Sequence, residues 1–249
     1  MSGRCNGFTA RALKLASIVQ PSHREAVRNS CIRCKRIRHQ PPAPFRLPFN
    51  GLARSELRRI FCSGEGGAHE ANHDVYPVDT ARLRRVTELV AQKAGWGKKL
   101  PPGHGLGIAA HRSFVSYIAT VVEVAVDNKG NLTVPQVDTA IDCGFYANPE
   151  RIRSQIEGAA VMGLSLAKYG EITPKNGRVE QSNFNDYPVV RHDESPAVTN
   201  THIVENSIDV PSSGVGEPGV PPFAPALCNA IFAATGKRIR RLPIGNQLA

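Results

Sequence analysis

The sequence predicts an α+β fold for residues 76–245. Three observations support this: apolar residues at helical spacing in several segments, β-branched runs joined by a turn, and capping residues where the helices would begin. Residues 1–75 lack these patterns. They form a basic segment rich in proline and arginine, which we expect to be disordered or not native coding sequence. We therefore divide the chain into these two parts.

The first helix is predicted to begin at Asp79 or Thr80 and to end at Gly95. Aspartate and threonine side chains cap the free N–H groups of a first turn, and glycine adopts the left-handed backbone that ends many helices. The apolar positions that share one face of this helix are Leu83, Val86, Leu89 and Val90.

Strands are predicted after a loop at Pro101–Gly107. The segment Ile108–Val126 is rich in β-branched residues and is interpreted as strand. Asn128-Lys129-Gly130 is a turn signal before a second strand, Leu132–Ile141, so we expect a hairpin. A further short strand is predicted at His202–Val204.

A long helix is predicted to begin at Asn148-Pro149, where a capping side chain precedes a proline at the first helical position. It should run to about Tyr169. Gly158 and Gly163 lie within it, and each costs roughly 1 kcal/mol relative to alanine. We therefore expect these glycines to allow close approach by backbone or by a ligand.

The last helix is predicted to open at Pro221-Pro222 and to close at Gly236. Before it lies a polar glycine and proline loop in which Glu217 is the one acid. A helix N-terminus favours an anion through its N–H groups and its dipole, and a loop fixed by prolines is a rigid mount for a catalytic carboxylate. The alternative, which spacing alone favours, is a solvated loop glutamate.

Gln155, on the long helix, has an amide that both donates and accepts hydrogen bonds. Such a group suits the edge of a heterocycle such as a pterin, and the alternative is an exposed polar helix residue. Cys31 and Cys34 have the spacing of half a zinc site, but no second pair follows. Asp193-Glu194 is interpreted as a charged loop. No metal ligands are assigned.

The net charge of +10 comes from the N-terminal part. Residues 1–72 carry 13 Lys and Arg against 4 Asp and Glu, whereas the remainder carries 18 against 17. A nucleic-acid-binding segment would interleave aromatic residues with basic ones, and the few phenylalanines here lie among prolines. Nucleic-acid binding is therefore ranked last. No run of about 18 apolar residues suggests a membrane span, and the cysteine pattern favours a cytoplasmic location.

Several motifs together resemble a known family. Asp142-Cys143-Gly144, Asn148-Pro149 and Gln155-Ile156-Glu157-Gly158 resemble the second molybdopterin-binding domain of the xanthine dehydrogenase and aldehyde oxidase family, and Gly214–Pro222 resembles its active-site loop. Other motifs, found in order along the chain, resemble the large subunit of isoquinoline 1-oxidoreductase. They are Ala94-Gly95-Trp96-Gly97, Gly107-Ile108-Ala109-Ala110-His111, Gln181-Ser182-Asn183-Phe184 and Asn229–Gly236.

The resemblance implies a partial second molybdopterin-binding domain whose cofactor is molybdenum with molybdopterin cytosine dinucleotide. Glu217 corresponds to the catalytic base, and Gln155 and Gly216 correspond to cofactor-binding positions. The reaction would add a water-derived oxygen to an N-heteroaromatic (isoquinoline-like) or aldehyde carbon of a small-molecule substrate. The implied partners are a small iron–sulfur (2Fe–2S) subunit and a missing N-terminal molybdenum-binding region. The missing region leaves a periplasmic or membrane-associated location as an alternative to the cytoplasm.

Large subunits of this family are much longer than this chain, and residues 1–72 resemble nothing in them. We therefore expect a fragment, or the product of a disrupted gene, that does not retain the cofactor alone. The alternative is a non-catalytic remnant that folds, or that pairs with a separately encoded N-terminal portion.

Overall fold

The computed structural model describes residues 77–249, so the expectations for the basic segment and for Cys31 and Cys34 lie outside the described residues. The helices are α1 (Thr80–Lys93), α2 (Pro149–Lys168) and α3 (Val220–Thr235). The strands are β1 (His104–Ser113), β2 (Ser116–Val126), β3 (Leu132–Asp142), β4 (Pro174–Lys175), β5 (Arg178–Val179) and β6 (Val198–Ile203), and a short 3₁₀ turn covers His192–Glu194. The predicted α+β class is confirmed.

The main sheet has the strand order β1-β2-β3-β6. β1, β2 and β3 pair antiparallel, whereas β6 pairs parallel to β3 after a crossover that contains α2. The short strands β4 and β5 form a separate hairpin around a turn at Asn176-Gly177. Parallel pairing of β3 with β6 requires a long connection, and α2 supplies it.

Helices cover both faces of the sheet. On one face α1 packs through Val86 and Val90 against strand residues that include Ala119 and Val121. On the other face, α2 and α3 bury the alternate residues of the same strands, such as Val122, which lies in a cluster around α3. Because successive strand residues point to opposite faces, β2 is covered on both sides, and its residues 116–122 are all buried.

The helix ends lie where the sequence predicts them. The Asp79 side chain accepts hydrogen bonds from the first turn of α1, and the Asn148 side chain accepts one from Arg151 N at the start of α2. Gly95 and Gly236 both have positive φ, at +66° and +73°, just beyond the ends of α1 and α3. The cap and proline signals are therefore confirmed.

The prediction of one strand over Ile108–Val126 is wrong. The segment forms two strands joined by a tight turn at Phe114 and Val115, both with positive φ, at 51° and 66°. Turns of this kind usually contain asparagine or glycine, and a β-branched residue with positive φ is uncommon. The sequence therefore carries no turn signal here, and β1 also begins earlier than predicted, at His104.

Two glycines explain how closely α3 lies on β1. A Cβ atom added at Gly105 would lie 2.4 Å from Ala230 O, and one added at Gly107 would lie 2.1 Å from Ala226 O. Gly105 and Gly107 thus allow strand-to-helix packing at backbone contact distance. This contact fixes the position of α3 and hence of the loop before it.

The C-terminal segment after α3 folds back onto the domain. Ile239, Ile244 and Leu248 are buried in the same cluster as α3, and Ile244 N donates to Ala167 O of α2 at 2.8 Å. Within residues 77–249, none of the helices is both long and apolar enough to cross a membrane.

Candidate active site

Residues 210–219, which we call the Glu217 loop, are hydrogen-bonded to the turn that follows β3. Phe145 N donates to Val210 O at 3.0 Å, and Ser213 N donates to Cys143 O at 2.9 Å. Ser212 Oγ also donates to Phe145 O at 2.5 Å. The first half of the loop therefore lies along residues 143–145, which we call the Gly144 turn.

The β1–β2 turn holds the same half of the loop from another direction. Gly214 N donates to Phe114 O at 3.1 Å. The buried Ser116 hydroxyl donates to Gly214 O at 2.6 Å and lies 2.7 Å from Ser213 Oγ. The strained turn that the sequence did not predict thus serves as a contact for the candidate catalytic loop.

The second half of the Glu217 loop is held by α2. Val215 packs against the cluster that contains Ile152 and Ile156. A Cβ atom added at Gly219, which is buried, would lie 2.6 Å from Ala159 Cβ. Between these two contacts, residues 216 and 217 form a short exposed span. Both ends of this span are fixed, so it is a rigid mount of the kind that a catalytic group needs.

The expectation that free N–H groups of α3 would favour an anion at Glu217 is wrong. Val220 N donates to the backbone carbonyl of Glu217 at 3.0 Å, and the next two residues, Pro221 and Pro222, have no N–H group. The N-terminus of α3 therefore offers few free donors to an anion. The helix dipole remains favourable at this position, and the rigidity comes from hydrogen bonds and packing as well as from the prolines.

Gln155 is exposed on α2, beside Ile156. The Glu217 loop touches α2 at Ile156 and Ala159, within about one helical turn of Gln155. The structure therefore packs the loop that carries Glu217 against α2 near Gln155, although the two residues are far apart in the sequence.

The two glycines of α2 have different environments. A Cβ atom added at Gly163 would lie 2.6 Å from Phe223 Cβ, so the close approach there is by a side chain of α3 and not by backbone or a ligand as predicted. At Gly158 and at Gly216, an added Cβ would have no neighbour within 4 Å. Close approach by protein backbone at Gly158 is therefore a wrong prediction, and approach by a ligand stays a prediction.

Asp142, at the end of β3, is fully buried and paired with Arg82 of α1. Arg82 Nη2 lies 2.6 Å from Asp142 Oδ1, and Arg82 Nε donates to Oδ2 at 3.0 Å. Burial by itself would raise the pKa of Asp142, but the hydrogen bonds and positive charge of Arg82 outweigh it and hold this pKa below its usual value. Asp142 is therefore an ionised acceptor beside the Gly144 turn.

A second buried carboxylate lies in the same sheet. Asp138 accepts hydrogen bonds from Gln136 Nε2 at 2.6 Å and Asn200 Nδ2 at 3.1 Å, and lies 2.9 Å from His202 Nε2. Burial would raise the pKa of Asp138, but these partners lower it below its usual value. Sequence reasoning missed both buried aspartates, because their partners are contributed by other elements.

Glu194 is not simply part of a charged loop, as the sequence suggested. Its Oε1 accepts from Lys168 Nζ at 2.5 Å and from the Tyr169 hydroxyl. Burial would raise the pKa of Glu194, but the Lys168 and Tyr169 hydrogen bonds dominate and lower it to about 2. These two hydrogen bonds fix the end of α2 to the 3₁₀ turn.

These three residues line a cleft of about 850 Å³ together with the start of β3 and the C-terminal segment. The cleft lies at the end of α2, and Lys168 is thirteen residues, or roughly 20 Å of helix, from Gln155. Its lysine and glutamate already neutralise each other. We therefore place the candidate chemistry at Glu217 and not in this cleft.

Comparison with known proteins identifies the domain. Residues 74–196 match the family model described as molybdopterin cofactor-binding domain. Gln155 lies within this range, whereas Gly216 and Glu217 follow it. Among residues 77–249, no group of three or more His, Cys, Asp or Glu side chains is arranged to hold a metal ion.

Two curated relatives match about two thirds of the chain. The isoquinoline 1-oxidoreductase subunit beta of Brevundimonas diminuta is 33% identical over 168 residues, covering 66% of this chain and 21% of the relative. A membrane-bound aldehyde dehydrogenase of Gluconacetobacter polyoxogenes, whose name includes pyrroloquinoline-quinone, is 31% identical over 169 residues, with 66% and 22% covered. The chain thus spans about a fifth of the length of these relatives.

Among solved structures, quinoline 2-oxidoreductase of Pseudomonas putida 86 aligns with a TM-score of 0.47 at 21% identity, covering 53% of this chain and 18% of that one. Residues 74–196 therefore form a molybdopterin cofactor-binding domain, and this part of the chain is similar to subunits of the xanthine dehydrogenase and aldehyde oxidase family.

Proposed function

We propose that residues 76–245 are the C-terminal molybdopterin-binding region of a molybdenum hydroxylase. Such an enzyme would add a water-derived oxygen to an electron-poor carbon of an N-heteroaromatic, isoquinoline-like compound or of an aldehyde. The observation that carries the proposal is the short exposed span at Gly216 and Glu217, whose two ends pack on α2 within about one helical turn of the exposed Gln155.

The residues of this site fit a molybdopterin cofactor. Gln155 offers an amide that donates and accepts, which matches the mixed donors and acceptors of a pterin edge. The surface at Gly158 and Gly216 is open, and neither glycine has a side chain to cover it. A flat ligand therefore has room to approach the backbone there. We propose that Gln155 and Gly216 contact a molybdopterin cytosine dinucleotide, which supplies a molybdenum centre able to accept two electrons and to activate water.

Glu217 is the proposed general base. Its carboxylate is exposed at the site, and the surrounding loop is anchored on three elements. A carboxylate held in this way accepts the proton that the water-derived nucleophile loses as it attacks the substrate carbon. General-base assistance of this kind is typically worth about 10² to 10⁴ in rate.

The remaining parts of the enzyme would come from partners. We propose an N-terminal molybdenum-binding region of the large subunit, which would build most of the substrate pocket, and a small 2Fe–2S subunit that takes the electrons away. Support comes from the coverage of the relatives, because about four fifths of their length has no counterpart in this chain. We propose a cytoplasmic location for the assembled enzyme.

The test is cofactor analysis of the purified chain, alone and after co-expression with the N-terminal four fifths of the isoquinoline 1-oxidoreductase subunit beta. We expect little or no molybdenum or pterin in the chain alone, and both in the co-purified complex. A complex that forms without either would favour the non-catalytic remnant. A complex that contains a quinone in place of molybdenum would contradict the proposal.

A further inference from the structure

We propose that Arg82, Asp142 and Ser116 are positioning residues for the Glu217 loop. The inference rests on the proposed function only for the role of Glu217. The structural part, that these three residues hold the loop in place, stands on contacts within residues 77–249.

The first link joins α1 to the end of β3. The guanidinium of Arg82 binds both carboxylate oxygens of Asp142, and its carbon lies 4.7 Å from the centre of the Tyr117 ring. The Tyr117 hydroxyl in turn accepts a hydrogen bond from Asp79 N at 2.7 Å, at the start of α1. Arg82 is therefore held in one orientation by a two-point ion pair and by an aromatic ring.

The second link joins Asp142 to the Gly144 turn. Asp142 Oδ1 accepts from Gly144 N at 3.3 Å and from Asn206 Nδ2 at 2.9 Å. Gly144 has a φ of +74°, and a Cβ atom added there would lie 2.0 Å from Pro211 O. The carboxylate therefore fixes a turn whose glycine is in backbone contact with the Glu217 loop.

The third link joins the Gly144 turn to the loop itself. Two backbone hydrogen bonds, between Phe145 and Val210 and between Cys143 and Ser213, join the Gly144 turn to the first half of the Glu217 loop. Glu217 follows Ser213 by four residues. A shift of the Gly144 turn is therefore passed directly to the backbone that carries Glu217.

Ser116 provides a second anchor, from a different strand. Its buried hydroxyl contacts Gly214 O and Ser213 Oγ, and it lies on β2 next to Tyr117, the cross-strand partner of Asp142. Two anchors from separate elements thus meet on Ser213 and Gly214. A buried ion pair adds little net stability compared with apolar packing, so its most distinct contribution here is to geometry.

The experiment is amide hydrogen exchange, followed by mass spectrometry, on the full 249-residue chain and on four variants. Asp142→Asn and Ser116→Ala remove the two anchors, and Ser213→Ala removes one contact from a partly exposed residue. Arg84→Gln, which breaks the exposed Arg84–Glu88 pair on the same helix as Arg82, is the matched control.

We expect exchange in residues 212–217 to rise roughly tenfold or more in Asp142→Asn and Ser116→Ala, and less in Ser213→Ala. Exchange in β2 and α3 should be unchanged, and Arg84→Gln should match the parent throughout. If Asp142→Asn exchanges rapidly everywhere, it has unfolded, and the two serine variants decide the question. Unchanged loop exchange in both serine variants would overturn the proposal.

The catalytic consequence is measured separately in the assembled complex. Arg82→Lys keeps the charge but loses the two-point geometry, so we expect kcat to fall at constant molybdenum content, with KM unchanged. Asp142→Asn should lose more. If the loop loosens but kcat does not change, the positioning role is wrong. If Glu217→Gln also retains its turnover, the proposed function has failed instead.

Discussion

At the scale of single residues, Glu217 and Gln155 are expected to fail in different ways. The sequence singles out both residues, and the loop that carries Glu217 packs on α2 within about one helical turn of Gln155. One is proposed to move a proton and the other to hold the cofactor, so their variants separate the two steps.

Glu217→Gln in the assembled enzyme should lose turnover by about 10² or more while molybdenum content stays at the parent level. The amide is nearly isosteric, so the backbone bond from Val220 N to Glu217 O is retained. The measurement is turnover per bound molybdenum. Substantial activity at full metal loading would return Glu217 to the status of a solvated loop residue.

Gln155→Ala should reduce cofactor content, and activity should fall in proportion to it. The side chain is exposed and the position is helical, so alanine leaves the fold intact. Glu157→Ala, an exposed substitution two positions along α2, is the control and should keep its molybdenum. Equal metal content in both variants and the parent would argue against a pterin contact at Gln155.

At the scale of the elements, the fold depends on close packing of α3 against α2 and β1. Gly163 and Gly107 are the contact points, and an added Cβ atom would lie within 3 Å of Phe223 or of the α3 backbone. Such overlaps force the helices apart, and that displaces the loop before α3 as well.

Gly163→Ala is expected to destabilise the domain by about 1–3 kcal/mol, because the added methyl group overlaps Phe223. Gly158→Ala, on the same helix, should be neutral or stabilising by up to about 1 kcal/mol, since its Cβ has free space and alanine favours the helix. Urea unfolding of both variants measures the difference. Equal stabilities would show that the α2–α3 contact is looser than described.

At the scale of the whole molecule, three carboxylates with lowered pKa values tie distant elements together. Asp142 joins β3 to α1, Asp138 joins β3 to β6, and Glu194 joins the 3₁₀ turn to α2. A carboxylate whose folded pKa is below its unfolded value stabilises the fold above the unfolded pKa, and this contribution is lost as the pH falls through the folded pKa.

The domain should therefore lose stability on acidification. For Glu194 the window runs from its ordinary value of 4.5 down to about 2. The measurement is the urea midpoint of the parent and of Glu194→Gln between pH 6 and pH 3. We expect the urea midpoint of the parent to fall more steeply below pH 4.5, so that the difference between the two proteins narrows toward pH 3. A parallel pH dependence in both proteins would contradict this assignment.

Local signals in the sequence determined much of the secondary structure. Asp79, Asn148 and Gly236 mark helix ends because a cap or a left-handed glycine acts on its own turn, without help from distant residues. Glu217 and Gln155 are assigned through the resemblance of their motifs to the family, because local signals alone favour a solvated loop glutamate and an exposed helix residue.

Only the tertiary structure decided the features that depend on distant contacts. The turn at Phe114 and Val115 has no local signal, and its conformation is adopted where the Glu217 loop packs on it. Arg82 and Asp142 are 60 positions apart, and neither residue type indicates its partner. Helix caps, and turns that contain asparagine or glycine, are specified by neighbouring residues in the chain. Buried ion pairs, helix-to-strand contacts and the turn at Phe114 and Val115 form only when separate elements meet.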